Sequence, residues 1–167
     1  MIRPVVIIAL LPMLALGACN RNTSPGNDRE SQIDPAPAPA RVASAAEALA
    51  GIAVEAVQPE TMSDGEVAAL GGPRGRCFIR LTSVGFPSFV HDGPGGKGAI
   101  KLNGTLIPLR ARQGGIYESG GLGVVIRPVR REFGSDGLRE SDMIVMLPGA
   151  RDELGYRGYE DCSQHGL

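Results

Sequence analysis

The chain has 167 residues and a formal net charge of −1, with 17 Lys or Arg against 18 Asp or Glu. That length suits one small domain with accessory segments. A balanced charge and the lack of Trp argue against nucleic-acid binding, which needs a clustered basic face and stacking aromatics.

The first residues read as a targeting segment. Arg3 and the initiator amine give a positive start, and Val5 to Leu16 form an apolar run of 12 residues. Such a run suits a signal-peptide core and falls short of the roughly 20 residues that span a bilayer. It ends in Leu16-Gly17-Ala18-Cys19, which resembles the lipobox of bacterial lipoproteins. The resemblance implies removal of residues 1–18 and acylation of Cys19, with a diacylglycerol and usually a third chain such as palmitate. An ordinary secretory signal cut near a cysteine is the alternative. Each buried methylene contributes roughly 0.8 kcal/mol, so one acyl chain holds weakly and two or more hold firmly. Asn20 stands where an aspartate retains many lipoproteins in the inner membrane. The resemblance therefore points to the outer membrane, facing the periplasm.

Residues 19–44 read as the lipidated cysteine and a tether. The stretch is rich in Asn, Ser, Asp and Pro, and Pro35-Ala36-Pro37-Ala38-Pro39-Ala40 favours an extended, semi-rigid chain. Residues 20–71 hold three Arg against eight acidic groups, whereas residues 72–162 hold thirteen basic against ten. An acidic tether thus precedes a mildly basic domain. Residues 45–71 form an Ala-rich, partly helical lead-in, weakened at Gly51. At Ser63 to Leu70 the spacing predicts a short helix: Ser63 caps it, Glu66 completes a capping box and Gly71 ends it. Its Val67, Ala69 and Leu70 are expected to plug one end of the core.

Residues 72–167 carry a strand pattern. Cys77 to Val84 alternates, placing Cys77, Ile79 and Leu81 on one face and Phe78, Arg80 and Thr82 on the other. Phe86 to Val90 follows, then a Gly-rich turn from Asp92 to Gly98. Ala99 to Leu102 and Thr105 to Leu109 flank Asn103-Gly104, a strong hairpin signal. Ile116 to Glu118 and Leu122 to Arg130 flank Ser119-Gly120-Gly121. Met143 to Leu147 and Tyr156 to Cys162 complete about eight short strands. The expected fold class is mainly β, a small antiparallel β-barrel or sandwich with one short preceding helix.

With Cys19 assigned to lipid, Cys77 and Cys162 remain. In an oxidising periplasm they are expected to form a disulfide. A redox pair would favour Cys-x-x-Cys spacing, and a zinc site would need more ligands than two scattered histidines and these cysteines offer. No metal or cofactor is indicated. Gly93-Pro-Gly-Gly-Lys-Gly98 looks faintly like a phosphate loop, but glycine follows Lys97 where Ser or Thr should hold magnesium. His91 beside Asp92 reads as a surface turn pair, and His165 lies past the last cysteine. Adjacent acids such as Glu160-Asp161 point to opposite faces of a strand and do not converge. The domain is expected to be non-enzymatic.

Gln113-Gly114-Gly115-Ile116-Tyr117 and Val124-Val125-Ile126-Arg127-Pro128 carry one further resemblance. The periplasmic and membrane-bound inhibitors of C-type lysozyme are small β-barrels with Ser-Gly-x-x-Tyr and, further on, Phe-Trp-x-Lys-Gly. Here Gly114 and Tyr117 match the first motif, while Gln113 replaces its serine. Two valines replace Phe-Trp, Arg127 replaces the lysine and Pro128 the glycine. The resemblance implies an inhibitor loop of Gln113, Gly114, Tyr117 and Arg127. The domain's positive surplus opposes encounter with basic lysozymes. Tyr156-Arg157-Gly158-Tyr159 holds binding-prone types, with one tyrosine expected inside and one outside. Arg127, Arg130 and Arg131 form a basic cluster suited to an acidic glycan or lipid head group. The expected partners are the membrane, through Cys19, and a protein or envelope glycan.

Overall fold

The structure is a computed structural model and describes residues 37–93 and 95–163. The signal segment, Cys19, most of the tether and His165 lie outside the described residues. β3 (Cys77–Arg80), β4 (Phe89–His91), β5 (Lys97–Leu102), β6 (Thr105–Ala111), β7 (Ile116–Ser119), β8 (Leu122–Pro128), β9 (Leu138–Met146) and β10 (Leu154–Asp161) follow one another as an antiparallel meander. β10 pairs back onto β3, so the sheet closes into an eight-stranded antiparallel β-barrel. Closure removes the open edges that a sandwich would leave.

The turns follow from local chemistry. Asn103 and Gly104 take φ of 47° and 63°, the paired positive values that a two-residue type I′ hairpin demands. Gly120 and Gly121 do the same between β7 and β8, at 55° and 85°. Gly158 on β10 lets the Arg80 carbonyl of β3 approach where a Cβ would collide, which makes the closing seam possible.

Each strand points alternate residues into the barrel. Ile79, Phe89, Ile100, Ile107, Leu122, Val124, Met143 and Val145 meet inside it with almost no exposure. One end is plugged by α1 (Ala45–Ala48), whose Ala45 and Ala48 join this inner core. Ser44 caps α1 in a capping box with Glu47. Just before it, β1 (Arg41–Val42) runs parallel to the start of β6, a region that β7 leaves free because it pairs only with Arg110 and Ala111. The helical character of residues 45–57 is broken as expected near Gly51, where φ is 70°; only a 3-10 turn at Val54–Ala56 follows.

The helix predicted from Ser63 is present as α2 (Asp64–Ala69), with the Ser63–Glu66 capping box formed. It does not plug the core. α2 lies on the outer face, where Val67 and Met62 pack against Phe78, Val90 and Leu106, while Ala69 is exposed. Hence Cys77, Phe78 and Ile79 are all buried, because β3 is covered on both faces. Glu66 ties this layer together. It accepts from Lys101 Nζ at 2.8 Å and from the Ala40 N–H at 3.3 Å. Burial acts to raise the Glu66 pKa, but Lys101 and the Ser63 cap outweigh it and hold the carboxyl below its usual range. β2 (Pro59–Glu60) adds a short antiparallel rung to the end of β5.

Candidate functional site

The end of the barrel opposite α1 is polar inside, and the Cys77–Cys162 disulfide stands there. It joins the first barrel strand to the residue after the last, beside a seam in which Phe78, Ile79 and Arg80 pair with Asp161, Glu160 and Tyr159. Residues two apart share a face, so the inward Cys77 and Ile79 bring with them inward Glu160 on β10 and inward Phe89 and His91 on β4.

His91 is therefore not part of a surface turn. It is 5% exposed and stacks against Phe89 with ring centroids 5.8 Å apart. The Gly93 N–H donates to His91 Nδ1 at 3.2 Å, and Tyr117 Oη lies 3.0 Å from the same nitrogen. Tyr117 also donates its O–H to the Gly93 carbonyl at 3.2 Å. Room for this aromatic group comes from Gly98, where a Cβ would lie 2.6 Å from Phe89 Cζ and 2.9 Å from Tyr117 Cδ1. Burial, with the charges of Glu160 and Asp92, pushes the Tyr117 hydroxyl up to about 12.

Glu160, 3% exposed, is the centre of the cluster. Its Oε2 accepts from Arg139 Nε at 3.0 Å, from Arg139 Nη2, and from Ser141 Oγ at 3.2 Å. Its Oε1 faces His91 Nε2 at 3.4 Å, close enough for an ion pair but outside hydrogen-bond geometry. Burial acts to raise its pKa, yet His91 and Arg139 prevail and hold it below the ordinary carboxylate range. Arg139 links this interior to the surface. Its guanidinium lies over the Phe133 ring, 4.4 Å from the centroid, and donates to the Arg131 carbonyl at 3.3 Å.

That contact shapes an open cleft of about 620 Å³ between the β8–β9 connection and the rim strands. Arg130, Arg131, Phe133, Arg139, Glu140 and Tyr159 are among its lining residues. Phe133 and Tyr159 are 41% and 38% exposed, so both present ring surface to the cleft.

The other predicted positions are dispersed. Gln113 and Gly114 are exposed in the tight connection between β6 and β7, and Arg127 is exposed near the end of β8. Gly115 packs against the Ile126 backbone, so both segments stand at the polar rim. Tyr117 faces inward and is 2% exposed, unavailable to a docking partner. Tyr156 is half-buried against the core and Tyr159 is outside, as expected. Lys97 opens β5 directly after a hairpin turn, with no helix beyond it.

Neither Glu160 nor Arg139 stood out in the sequence as a site residue. A signal for Glu160 exists: it precedes Cys162 by two, so a disulfide that places Cys162 inward places Glu160 inward as well.

A family model described as a domain of unknown function (DUF6692) matches residues 15–165, a span that includes Cys19. No curated protein matches the chain, and no solved structure does.

Proposed function

The chain belongs to the DUF6692 family, and from its sequence and its fold we propose that it is a lipid-anchored protein of the cell envelope. It faces the periplasm from the outer membrane, and its barrel binds a partner without catalysing a reaction. The observation that carries this reading is the Cys77–Cys162 disulfide. Disulfides persist in oxidising compartments, and that is where a lipobox at Leu16-Gly17-Ala18-Cys19 sends a chain. Two features far apart in the sequence thus agree on the compartment.

The barrel axis is filled by side chains, so a partner is met on the outer surface. The cleft beside β9 is the surface best suited to it. Arg130 and Arg131 offer guanidiniums for carboxylates, and Phe133 and Tyr159 offer flat, amphipathic faces. An acidic envelope glycan has both features. Sedimentation of the mature domain with purified cell-wall sacculi tests this partner. The Arg130→Ala/Arg131→Ala/Phe133→Ala variant is expected to bind at least about tenfold more weakly, since such anchors each contribute on the order of 1 kcal/mol or more. No sedimentation of the wild type, or equal sedimentation of the variant, sinks the glycan reading.

Inhibition of C-type lysozyme is a second reading, supported by the exposure of Gln113 and Arg127 at one rim. Turbidity of a cell-wall suspension treated with lysozyme measures it. Unchanged lysis at micromolar domain, or inhibition that survives Gln113→Ala with Arg127→Ala, rules it out.

A further inference from the structure

The disulfide end of the barrel carries donors that the oxidised seam leaves unused. Cys77 Sγ, a His91 ring nitrogen and a Glu160 oxygen lie within 4.8 Å of one another, and Cys162 Sγ is 3.7 Å from Glu160 Oε1. Cys77, His91 and Glu160 are 4%, 5% and 3% exposed. His91 Nε2 is buried without a hydrogen-bond partner, and it points at Glu160 Oε1 from 3.4 Å. Packed interiors rarely leave such a nitrogen unmatched. An imidazole nitrogen and a carboxylate oxygen aimed together beside two sulfurs make up a zinc donor set.

We propose that reduction of the Cys77–Cys162 disulfide turns this seam into a tetrahedral zinc site built from Cys77 Sγ, Cys162 Sγ, His91 Nε2 and Glu160 Oε1. Zinc bonds of about 2.0–2.3 Å place tetrahedral ligands about 3.3–3.8 Å apart. The His91–Glu160 and Glu160–Cys162 separations, 3.4 and 3.7 Å, already fall in that window. Cleavage of the S–S bond frees the two sulfurs to separate. Cys162 lies just past the end of β10 and is only half-buried, so it has room to move.

The surroundings suit the ion. A histidine that ligates through Nε2 donates its Nδ1–H to an acceptor. Tyr117 Oη is 3.0 Å from Nδ1 and keeps its own O–H donated to the Gly93 carbonyl, leaving its oxygen to accept, while the Gly93 N–H gives up its contact with Nδ1. Arg139 and Ser141 hold Glu160 Oε2, leaving Oε1 for the metal. Charge balances too. Two thiolates, one carboxylate and Zn²⁺ sum to −1, which the Arg139 guanidinium cancels, and the oxidised seam is likewise neutral as a Glu160–Arg139 pair.

The electron balance needs a dithiol reductant. It is oxidised to its own disulfide, delivering two electrons and two protons to Cys77 and Cys162. Zinc then displaces the two thiol protons into solvent.

The test uses the full mature chain, reduced with a phosphine, desalted anaerobically and titrated with Co²⁺ as a spectroscopic stand-in for zinc. The expected result is one equivalent bound, with the visible bands of tetrahedral cobalt and a thiolate charge-transfer band, both lost on adding zinc. The oxidised chain gives neither. His91→Gln and Glu160→Gln each remove the tetrahedral spectrum, and Tyr117→Phe weakens binding about 10–100-fold, as loss of an outer-shell partner does. Zinc raises the melting temperature of the reduced chain and leaves that of the oxidised chain unchanged. Three results overturn the proposal: a reduced chain that takes up no cobalt, whether folded or not; a spectrum that His91→Gln leaves intact; or equal binding by the oxidised chain.

Discussion

Removing the disulfide by Cys77→Ala with Cys162→Ala attacks the barrel at its closing seam. β3 and β10 share three residue pairs, against eight between β9 and β10. The seam also holds the Arg80–Asp161 ion pair, but partly exposed pairs of this kind contribute little. The covalent link therefore carries much of the closure. Its two cysteines are 85 residues apart, and the chain-entropy relation gives a stabilisation of about 4.5 kcal/mol for a loop of that size. Small domains are stable by about 5–15 kcal/mol in all, so the loss is roughly 30% or more of the total. Urea unfolding of the mature chain in the presence of a chelator, followed by circular dichroism, measures it. The midpoint is expected to fall sharply and the m-value to rise, because the uncrosslinked unfolded chain exposes more surface. A loss below about 1 kcal/mol with an unchanged m-value would refute this account of the seam.

Glu160→Ala leaves Arg139 without its carboxylate and should destabilise the domain by about 3 kcal/mol, the lower end for a broken buried pair because Arg139 is partly solvated; denaturant melts measure it. In the wild type the folded Glu160 carboxyl titrates below its ordinary value of 4.5. Its contribution is therefore complete above the unfolded value and is lost as pH falls through the lower folded value; the stability difference between wild type and Glu160→Gln should be full above that range and shrink across it as pH falls. Tyr117 has the opposite sign. Its folded pKa is raised from 10.0 to about 12, so its neutral form supports the fold fully below pH 10 and loses about 3 kcal/mol of that support as pH rises to 12. Tyr117→Phe should flatten the alkaline stability profile across that window, and an unchanged slope would contradict the assigned burial. Gly98→Ala is expected to cost about 1–3 kcal/mol by overpacking against Phe89 and Tyr117, read as a lowered melting temperature.

All eight barrel strands are visible in the sequence, because alternation and the Asn103-Gly104 and Gly120-Gly121 turns report local geometry. Several bounds shift: β3 ends at Arg80 rather than Val84, and β4 begins at Phe89 rather than Phe86. β9 begins at Leu138 rather than Met143, since Arg139 and Ser141 face inward as polar residues and hide the period. The placement of α2 outside the barrel was not legible. Phe78, Val90 and Leu106 look like ordinary outward positions until a second layer covers them. α1 was partly legible: the Ser44–Glu47 spacing is a capping-box signal, but nothing local says that Ala45 and Ala48 close the barrel. His91 misleads for a related reason. Asp92 and the glycines after it announce a turn, and the turn is real, yet the side chain one residue earlier points into the core. The polar cluster is assembled from β4, β7, β9 and β10, so its contacts are long-range and leave no short motif.

The proposed attachment of this barrel to the envelope is through lipid on Cys19. Metabolic labelling of cells with radioactive palmitate, followed by membrane fractionation of wild type and Cys19→Ala, measures it. The wild-type chain is predicted to carry label and to sediment with membranes, and Cys19→Ala to lose the label and leave the membrane fraction. An unlabelled wild type, or a Cys19→Ala chain that remains membrane-bound, would contradict the claim.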